Sequence, residues 1–386
     1  MINCSVSFND DIMDIAQETI YSIALTRLCY CSLVDILYLY KRMGSATAIV
    51  EHRNDICSIL PDATPRLVQS LSRLPEAIRR AEAEMQYNQQ HGITTLTFND
   101  PRYPRRLREC DDAPIVLFYR GNADLNQVHI VSIVGTRHCT SYGLDITSRF
   151  IRELKQLCPQ VLVVSGLAYG IDIQAHRESL TNGYETVGVL AHGIDYLYPR
   201  AHYATAEKMV MQGGLLTEFL TNTNAEKMNF VRRNRIVAGL ADACVLVESA
   251  AKGGGLITAG IAMGYHRDVF AFPGNVGQLR SEGTNNLIRD NKAALITCAA
   301  DFTNAMGWTE DAAPKPKSPK VDDRYNNLTD AEFRIVKLLQ TSNDMQVNII
   351  ATRASLPIST VLSSLFTLEM KNIVRTMAGG VYHLIL

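Results

Sequence analysis

The chain has 386 residues, 47% hydrophobic and 20% charged, with 38 Lys and Arg against 39 Asp and Glu for a formal net charge of -1. This excludes a disordered chain and a polybasic one, and the length suggests two or three domains with room for at least one well-buried core. Without a net positive field, any polyanion must be held by local clusters of Arg and Lys.

The opening MINCSVSFNDDIMD has neither a basic start nor an apolar run, and no window nears the roughly 18 uninterrupted apolar residues of a membrane span, so a cytoplasmic protein is expected. Nine cysteines are scattered without a C-x-x-C pair, several inside apolar runs such as ACVLV, which reads as reduced core thiols. Paired thiolate or imidazole ligands at short regular spacing are absent, so no metal site is expected.

From about Asp14 to Gln90 apolar residues recur at three-to-four spacing in TIYSIALTRL, SLVDILYLYKRM, ATAIVEHRNDICSIL and PRLVQSLSRLPEAIRRAEAEMQYNQQ, predicting a small helical domain over 1–90. A second domain over 91–308 starts with ITTLTF, the basic turn NDPRYPRRLREC and PIVLFYRGN. Within it, HIVSIV, VLVVSG, TVGVL, GLLTEF, ACVLVES, DVFAFP and ALITCA alternate with helical stretches. Continuous apolar runs mark strands buried on both faces, so the fold class is α/β, a Rossmann-like, doubly wound, mostly parallel sheet. The run DVFAFP is expected at the far end of the sheet, where an unpaired edge invites a second copy. The Pro-rich, charged TEDAAPKPKSPKVDDRYNN predicts a linker over 309–325, and 326–386 reads as three helices and two short strands around Gly379 and Gly380, the order of a winged-helix domain. Its STVLSSLFTLEMKN, in the recognition position, carries few basic residues, and such modules often bind protein instead of DNA.

In doubly wound sheets ligands bind beyond the carboxyl ends of the strands. The first parallel run ends in IVGTRHCTSYG, which places Gly135, Thr136 and Arg137 at a strand-to-helix turn suited to phosphate. The spacing is not G-x-G-x-x-G and no acid follows at a ribose-binding position, so no dinucleotide cofactor is expected. The second ends in VVSGLAYGIDIQAHRE, with Ser165, Gly166 and Gly170, and then Asp172 and His176 one helical turn apart. That pair could be a base with its orienter, but such spacing more often marks a structural hydrogen bond. NFVRRNRIVAGLAD gathers Arg232, Arg233 and Arg235, which form a positive patch if they face the same sheet edge and need no function on a solvated helix face. In VESAAKGGGLITAG, Lys252 precedes three glycines and another helix start.

SIVGTRHCTSYG, VVSGLAYGIDIQAH, GVLAHGIDYLYP, NFVRRNRIVAGLAD, GGGLITAGIAMGYHRDVFAFPGN and EGTNNLIRDN occur in the order found in the DNA-processing protein A (DprA/Smf) family, which the chain resembles from about Gly92 to Phe302. The helical front is similar to that family's SAM-like or helix-hairpin-helix domain only loosely, with LCYCSL in place of the glycine hairpin. The resemblance implies a homodimeric single-stranded DNA-binding protein of natural transformation that protects incoming DNA and loads the RecA recombinase, with no catalytic residue, cofactor or metal. It implies a DNA pocket at Gly135, Thr136, Arg137, Ser165, Gly166, Asn234, Arg235, Lys252, Gly254 and Thr258, to which Tyr169, Arg232 and Arg233 are added. Four positions depart from the family pattern: Tyr169 stands where many relatives carry Arg or Lys, Val231 replaces a Pro, and Gly253 and Gly255 replace serines. The Tyr169 ring could stack on a base in place of a phosphate contact. The alternative is a phosphoribohydrolase-like nucleotide-processing enzyme, whose P-G-G-x-G-T-x-x-E signature is absent here.

Overall fold

The computed structural model describes residues 7–28, 32–61, 63–308, 328–377 and 379–385. The helical front comprises α1 (Ser7–Leu25), α2 (Leu33–Met43), α3 (Ala46–Glu51), α4 (Ile56–Ile59), α5 (Pro65–Leu71) and α6 (Leu74–Gln90). Ser32 and Asp35 form a capping box that starts α2, and Gly44 ends it in the left-handed region. The Glu18 carboxylate accepts the backbone N–H groups of Ala46 and Thr47, both at 2.8 Å, tying the start of α3 to α1. Pro75, in the first turn of α6, accounts for the break after α5 in a stretch whose periodicity reads as continuous. Part of the LCYCSL turn, Cys29 to Cys31, lies outside the described residues.

The next elements are β1 (Thr94–Thr97), α7 (Arg105–Arg108), β2 (Val116–Gly121), β3 (His129–Val134), α8 (Ser141–Leu157), β4 (Val161–Ser165), α9 (Ile171–Thr181), β5 (Thr186–Val189), a 3-10 turn (Arg200–His202), α10 (Tyr203–Met211), β6 (Gly213–Thr217), α11 (Lys227–Leu240), β7 (Ala243–Leu246), α12 (Gly254–Gly264), β8 (Asp268–Ala271), α13 (Glu282–Arg289), β9 (Ala294–Leu295) and α14 (Ala299–Met306). The nine strands form one sheet in the order β1-β2-β6-β5-β4-β3-β7-β8-β9, parallel from β6 to β9, with β2 antiparallel to both β6 and β1. This is the doubly wound, mostly parallel α/β class that the apolar runs predict.

Alternation along the strands explains those runs. Ile130, Leu162 and Val164 enter one core, while Val131, Ile133 and Val163 enter the other, so neither face meets water. The first core continues into the helical front through Ile23, Tyr40 and Leu74, and Arg80 on α6 donates to the Thr221 carbonyl at 2.9 Å. Met1–Thr309 is accordingly one compact unit.

The chain winds from β3 to β6 on one side and returns to β7 on the other, so the topological switch lies between β3 and β7. One expectation is corrected here. The run DVFAFP supplies β8, which is interior, paired on one side with β7 and on the other with β9. ALITCA adds a two-residue strand that covers the edge expected to be open.

The second compact unit, Glu310–Leu386, contains α15 (Asp330–Thr341), β10 (Met345–Gln346), α16 (Val347–Ala354), α17 (Ile358–Met370), β11 (Val374–Met377) and β12 (Val381–Leu384). Its strands form an antiparallel sheet in the order β10-β12-β11 over a core of Ile335, Leu339, Ile350, Leu365 and Leu368. Gly379 and Gly380 both have positive φ at the turn between β11 and β12. The segment 309–327, with the expected linker, lies outside the described residues. Among the described residues no single helix is long and apolar enough to cross a membrane, and the six described cysteines are free thiols.

Candidate functional site

A pocket of about 550 Å³ opens at the carboxyl edge of the sheet, beside the switch between β3 and β7. The loop after β3 contributes Gly135, Thr136, Arg137 and His138, the loop after β4 contributes Gly166 and Ala168, and the first turn of α9 contributes Asp172. From α11 come Lys227, Phe230, Val231, Arg233 and Asn234, and from the start of α12 come Gly253, Gly254, Gly255 and Thr258. Arg280, in the loop after β8, closes one side.

Backbone contact holds the first two loops together. Gly170 has φ +78, and a Cβ there would lie 2.2 Å from the Thr136 carbonyl oxygen, so only glycine fits. Ile171 N–H donates to that oxygen at 3.3 Å, and Thr136 N–H donates to Glu248 O at 2.8 Å.

Among the helices that begin beside the pocket are α8, α9 and α12, and a carboxylate of the protein's own sits at the start of α8 and another in the first turn of α9. At α8, expected to receive phosphate, Thr140 N–H donates to Glu248 Oε2 at 2.8 Å and Thr140 Oγ1 donates to Glu248 Oε1 at 2.6 Å. At α9, Asp172 accepts backbone N–H groups of the preceding loop. Burial pushes the Asp172 carboxyl above the usual range, opposed by Arg233, by N–H groups of Ala168 and Gly166, and by Arg137. α9 and α12 both start without a side-chain cap, at Gly170 and Gly253, but Gly170 is crowded by the Thr136 carbonyl whereas a Cβ on Gly254 would meet nothing within 4 Å. An anion is therefore directed to α12 and not to α8. At the two glycines that replace serines, a Cβ would meet Ser249 Oγ at 2.1 Å on Gly253 and Leu246 Cδ1 at 2.7 Å on Gly255, so neighbouring side chains fill that space.

The arginine run splits by helical geometry. At 100° per residue, Lys227, Phe230, Arg233, Asn234 and Val237 share one face of α11 and line the pocket, while Arg232 and Arg235 point away from it. Both of these reach Glu218, Arg232 Nη2 at 2.8 Å and Arg235 Nη2 at 2.5 Å from Oε2, and Arg235 Nη1 also donates to Asp112 O at 2.5 Å. Arg235 is thus buried in an ion network with Glu218, while Arg232 joins the same network from an exposed position outside the pocket lining.

Arg233 is in the pocket wall but only 4% exposed. Its Nη1 donates to Gly166 O at 2.5 Å and to Val189 O, bridging the ends of β4 and β5. Burial lowers its pKa to about 10, against the pull of Asp172, so it stays charged at neutral pH. A Cβ on Gly166 would strike this guanidinium at 2.4 Å.

Of the other expected residues, Ser165 is fully buried and donates to Ile133 O at 2.6 Å, pinning β4 to β3 outside the pocket. Tyr169 stands at the rim, 48% exposed, edge-on to His202 at 4.8 Å. Lys252 is exposed on the loop after β7 and does not line the pocket, whereas Gly254 and Thr258 do. His176 does not bond to Asp172. Thr186 Oγ1 donates to Val163 O and so accepts from His176 Nδ1 at 2.7 Å, leaving the buried Nε2 without a partner. Burial lowers the His176 pKa to about 3.

Among the lining residues that were not singled out from the sequence are Phe230, Lys227 and Arg280. Arg137 lies over the Phe230 ring at 5.0 Å, Lys227 is one turn away, and Arg280 Nη1 donates to Thr136 Oγ1 at 3.3 Å. The three-residue spacing of Lys227 and Phe230 ahead of Asn234, and the rule that sites follow strand ends, applied to the loop after β8, were the available signals. The pocket thus gathers four cationic side chains, Arg137, Lys227, Arg233 and Arg280, against the carboxylate of Asp172.

Residues 94–307 match the family described as DNA recombination-mediator protein A. The chain is 38% identical over 202 residues to DNA processing protein DprA of Streptococcus pneumoniae, covering 52% of this chain and 70% of the relative. It is 32% identical over 315 residues to a putative DNA processing protein DprA of Mycobacterium tuberculosis, covering 78% and 80%. The X-ray structure of the Streptococcus pneumoniae protein aligns with TM-score 0.57 at 28% identity, over 71% of this chain and 98% of that one. A Helicobacter pylori DNA processing protein A, whose structure concerns its single-stranded DNA binding mode, aligns with TM-score 0.50 at 27% identity, over 55% and 95%. The chain belongs to the DNA recombination-mediator protein A family.

Proposed function

We propose that the chain binds single-stranded DNA, with backbone phosphates seated between Arg137, Lys227, Arg280 and the open start of α12. The observation that carries this is the pocket itself, an open cavity at the switch point whose exposed charged groups are all cationic. The Helicobacter pylori relative, named for its single-stranded DNA binding mode, supports the choice of ligand. Buried Arg233 reinforces the positive field without touching the strand. In this reading Gly135, Thr136, Gly166, Asn234, Gly254 and Thr258 shape the cradle, Tyr169 and Lys252 stand at its margin, and Ser165, Arg232 and Arg235 hold the scaffold.

The proposal extends to a cytoplasmic DNA-processing protein of natural transformation that protects incoming strands, loads RecA and works as a homodimer without turnover of its own. Membership in a family of recombination mediators supports this wider reading. The Glu310–Leu386 unit is proposed as a winged helix that contacts protein, since Ile358–Met370 carries no Lys or Arg with which to grip a duplex.

Binding of labelled single-stranded and double-stranded oligonucleotides across a salt series tests the central reading. Preference for the single strand, weakening by roughly 0.7 in log K per log salt for each phosphate held, is expected. Equal affinity for both forms, or a flat salt response, contradicts it. Incubation with nucleotides should release no free base; release would favour the hydrolase alternative.

A further inference from the structure

The cationic pocket accounts for phosphates and leaves the bases of a strand unaddressed. Outside its lining, the loop between β5 and the 3-10 turn carries a half-exposed ring. Tyr198 is 48% exposed, and its ring centre lies 5.9 Å from that of Phe230 at an interplanar angle of 62°. Phe230 lies in turn beneath the Arg137 guanidinium. A cation, a pocket ring and a rim ring therefore follow one another outward.

A single exposed tyrosine is ordinary on a protein surface. This one differs in how firmly its backbone is held. His192 is 1% exposed, and its Nδ1 lies 2.8 Å from Gly193 O, which can only accept, so Nδ1 carries the proton. Nε2 then accepts the Tyr198 backbone N–H at 3.2 Å. The same loop is anchored to the segment before α11, where Gly193 N–H donates to Thr223 O at 3.0 Å and Asn222 N–H donates to Asp195 Oδ2 at 3.1 Å. A buried histidine thus presents a half-exposed aromatic ring on a fixed backbone, beside a group suited to phosphate. Ordering costs fall when a stacking surface is fixed before the ligand arrives.

We infer that Tyr198 is a base-stacking platform, taking the nucleobase of a nucleotide adjacent to the one whose phosphate occupies the pocket, with His192 as its positioning residue. The inference rests on the proposed single-stranded DNA reading and deepens it. Stacking is tolerant of sequence because every base has a π face, so the subsite serves an oligonucleotide of any sequence.

The test uses the full chain with two fluorescent probes of equal length, an oligothymidylate and the same strand with abasic residues. For Tyr198→Ala, affinity for oligothymidylate should fall about tenfold, within the range expected for loss of one aromatic stacking partner. Affinity for the abasic strand and the salt slope should stay at wild-type values, because no phosphate contact is lost. Tyr198→Phe and Tyr198→Trp should retain oligothymidylate binding, which separates stacking from the hydroxyl group and from misfolding. An unchanged affinity of Tyr198→Ala for oligothymidylate overturns the inference, as does an equal fall on both probes. If the wild type prefers single strands and Arg137→Ala weakens them while Tyr198→Ala does not, only the platform falls. If the wild type binds neither probe, the DNA reading falls with it.

Discussion

Arg233→Ala separates architecture from ligand contact within the arginine run. The guanidinium is 4% exposed, and its Nη1 donates to the carbonyls of Gly166 and Val189. Asp172, 7% exposed, is stabilised in its charged form by the same guanidinium. Removing Arg233 leaves two buried carbonyls short of a donor and a buried carboxylate short of its cation. Two buried carbonyls left without their donor, at about 1–3 kcal/mol each, put the loss at about 3–5 kcal/mol. At the roughly 2 °C per kcal/mol expected for a unit of this size, the melting temperature should fall by about 6–10 °C. Differential scanning calorimetry reads the melt, and a gel shift at a temperature where the variant stays folded reads binding. Arg137→Ala, at an exposed position, should do the opposite, melting within about 1 °C of wild type while losing affinity. If Arg233→Ala melts as the wild type does and loses DNA, Arg233 is a ligand contact and its assignment to the scaffold fails.

Other outcomes follow from the same geometry. His176 is held near pKa 3 by burial, against about 6.5 when unfolded, so between those values the unfolded chain binds the extra proton and stability is lost as pH falls. By pH 5 this loss should reach about 2 kcal/mol, and His176→Gln should flatten the acid side of the melting profile; a wild-type melt constant from pH 7 to 5 contradicts the assignment. Gly170→Ala should destabilise by about 2 kcal/mol or more, because its φ is +78 and the new Cβ lies 2.2 Å from a carbonyl oxygen. Gly254→Ala, with open space at its Cβ, should leave the melt nearly unchanged and weaken DNA binding by narrowing the start of α12; equal melts for both variants would count against this account of the loops. Because Arg280 lines the pocket and Lys252 does not, Arg280→Ala should weaken single-strand binding more than Lys252→Ala in a fluorescence titration, and the reverse order would contradict the pocket assignment.

The sheet was legible because burial on both faces removes polar residues from runs such as HIVSIV and VLVVS, leaving few readings besides a parallel strand. The glycine loops were legible for a related reason: Gly135, Gly166 and Gly170 each sit where another backbone or side chain leaves no room for a Cβ. The arginine cluster was not, because proximity in sequence says nothing about helix face. Three residues within four positions of α11 divide between the pocket wall and the Glu218 network. Nor could composition reveal that Glu248, at the end of β7, reaches back to occupy the start of α8, since that contact spans 108 residues. The edge position given to DVFAFP failed because the run ALITCA that follows it, although only Ala294 and Leu295 of it form a strand, pairs alongside and takes the edge.

The central claim is that exposed cations of this one pocket hold the phosphates of a single strand. Its most direct test is the salt dependence of single-strand affinity for the wild type beside Arg137→Ala. The account predicts a steep negative slope of log K against log salt in the wild type, shallower by roughly 0.7 in the variant for the single phosphate contact removed, with melting unchanged. Parallel slopes for the two proteins would contradict it.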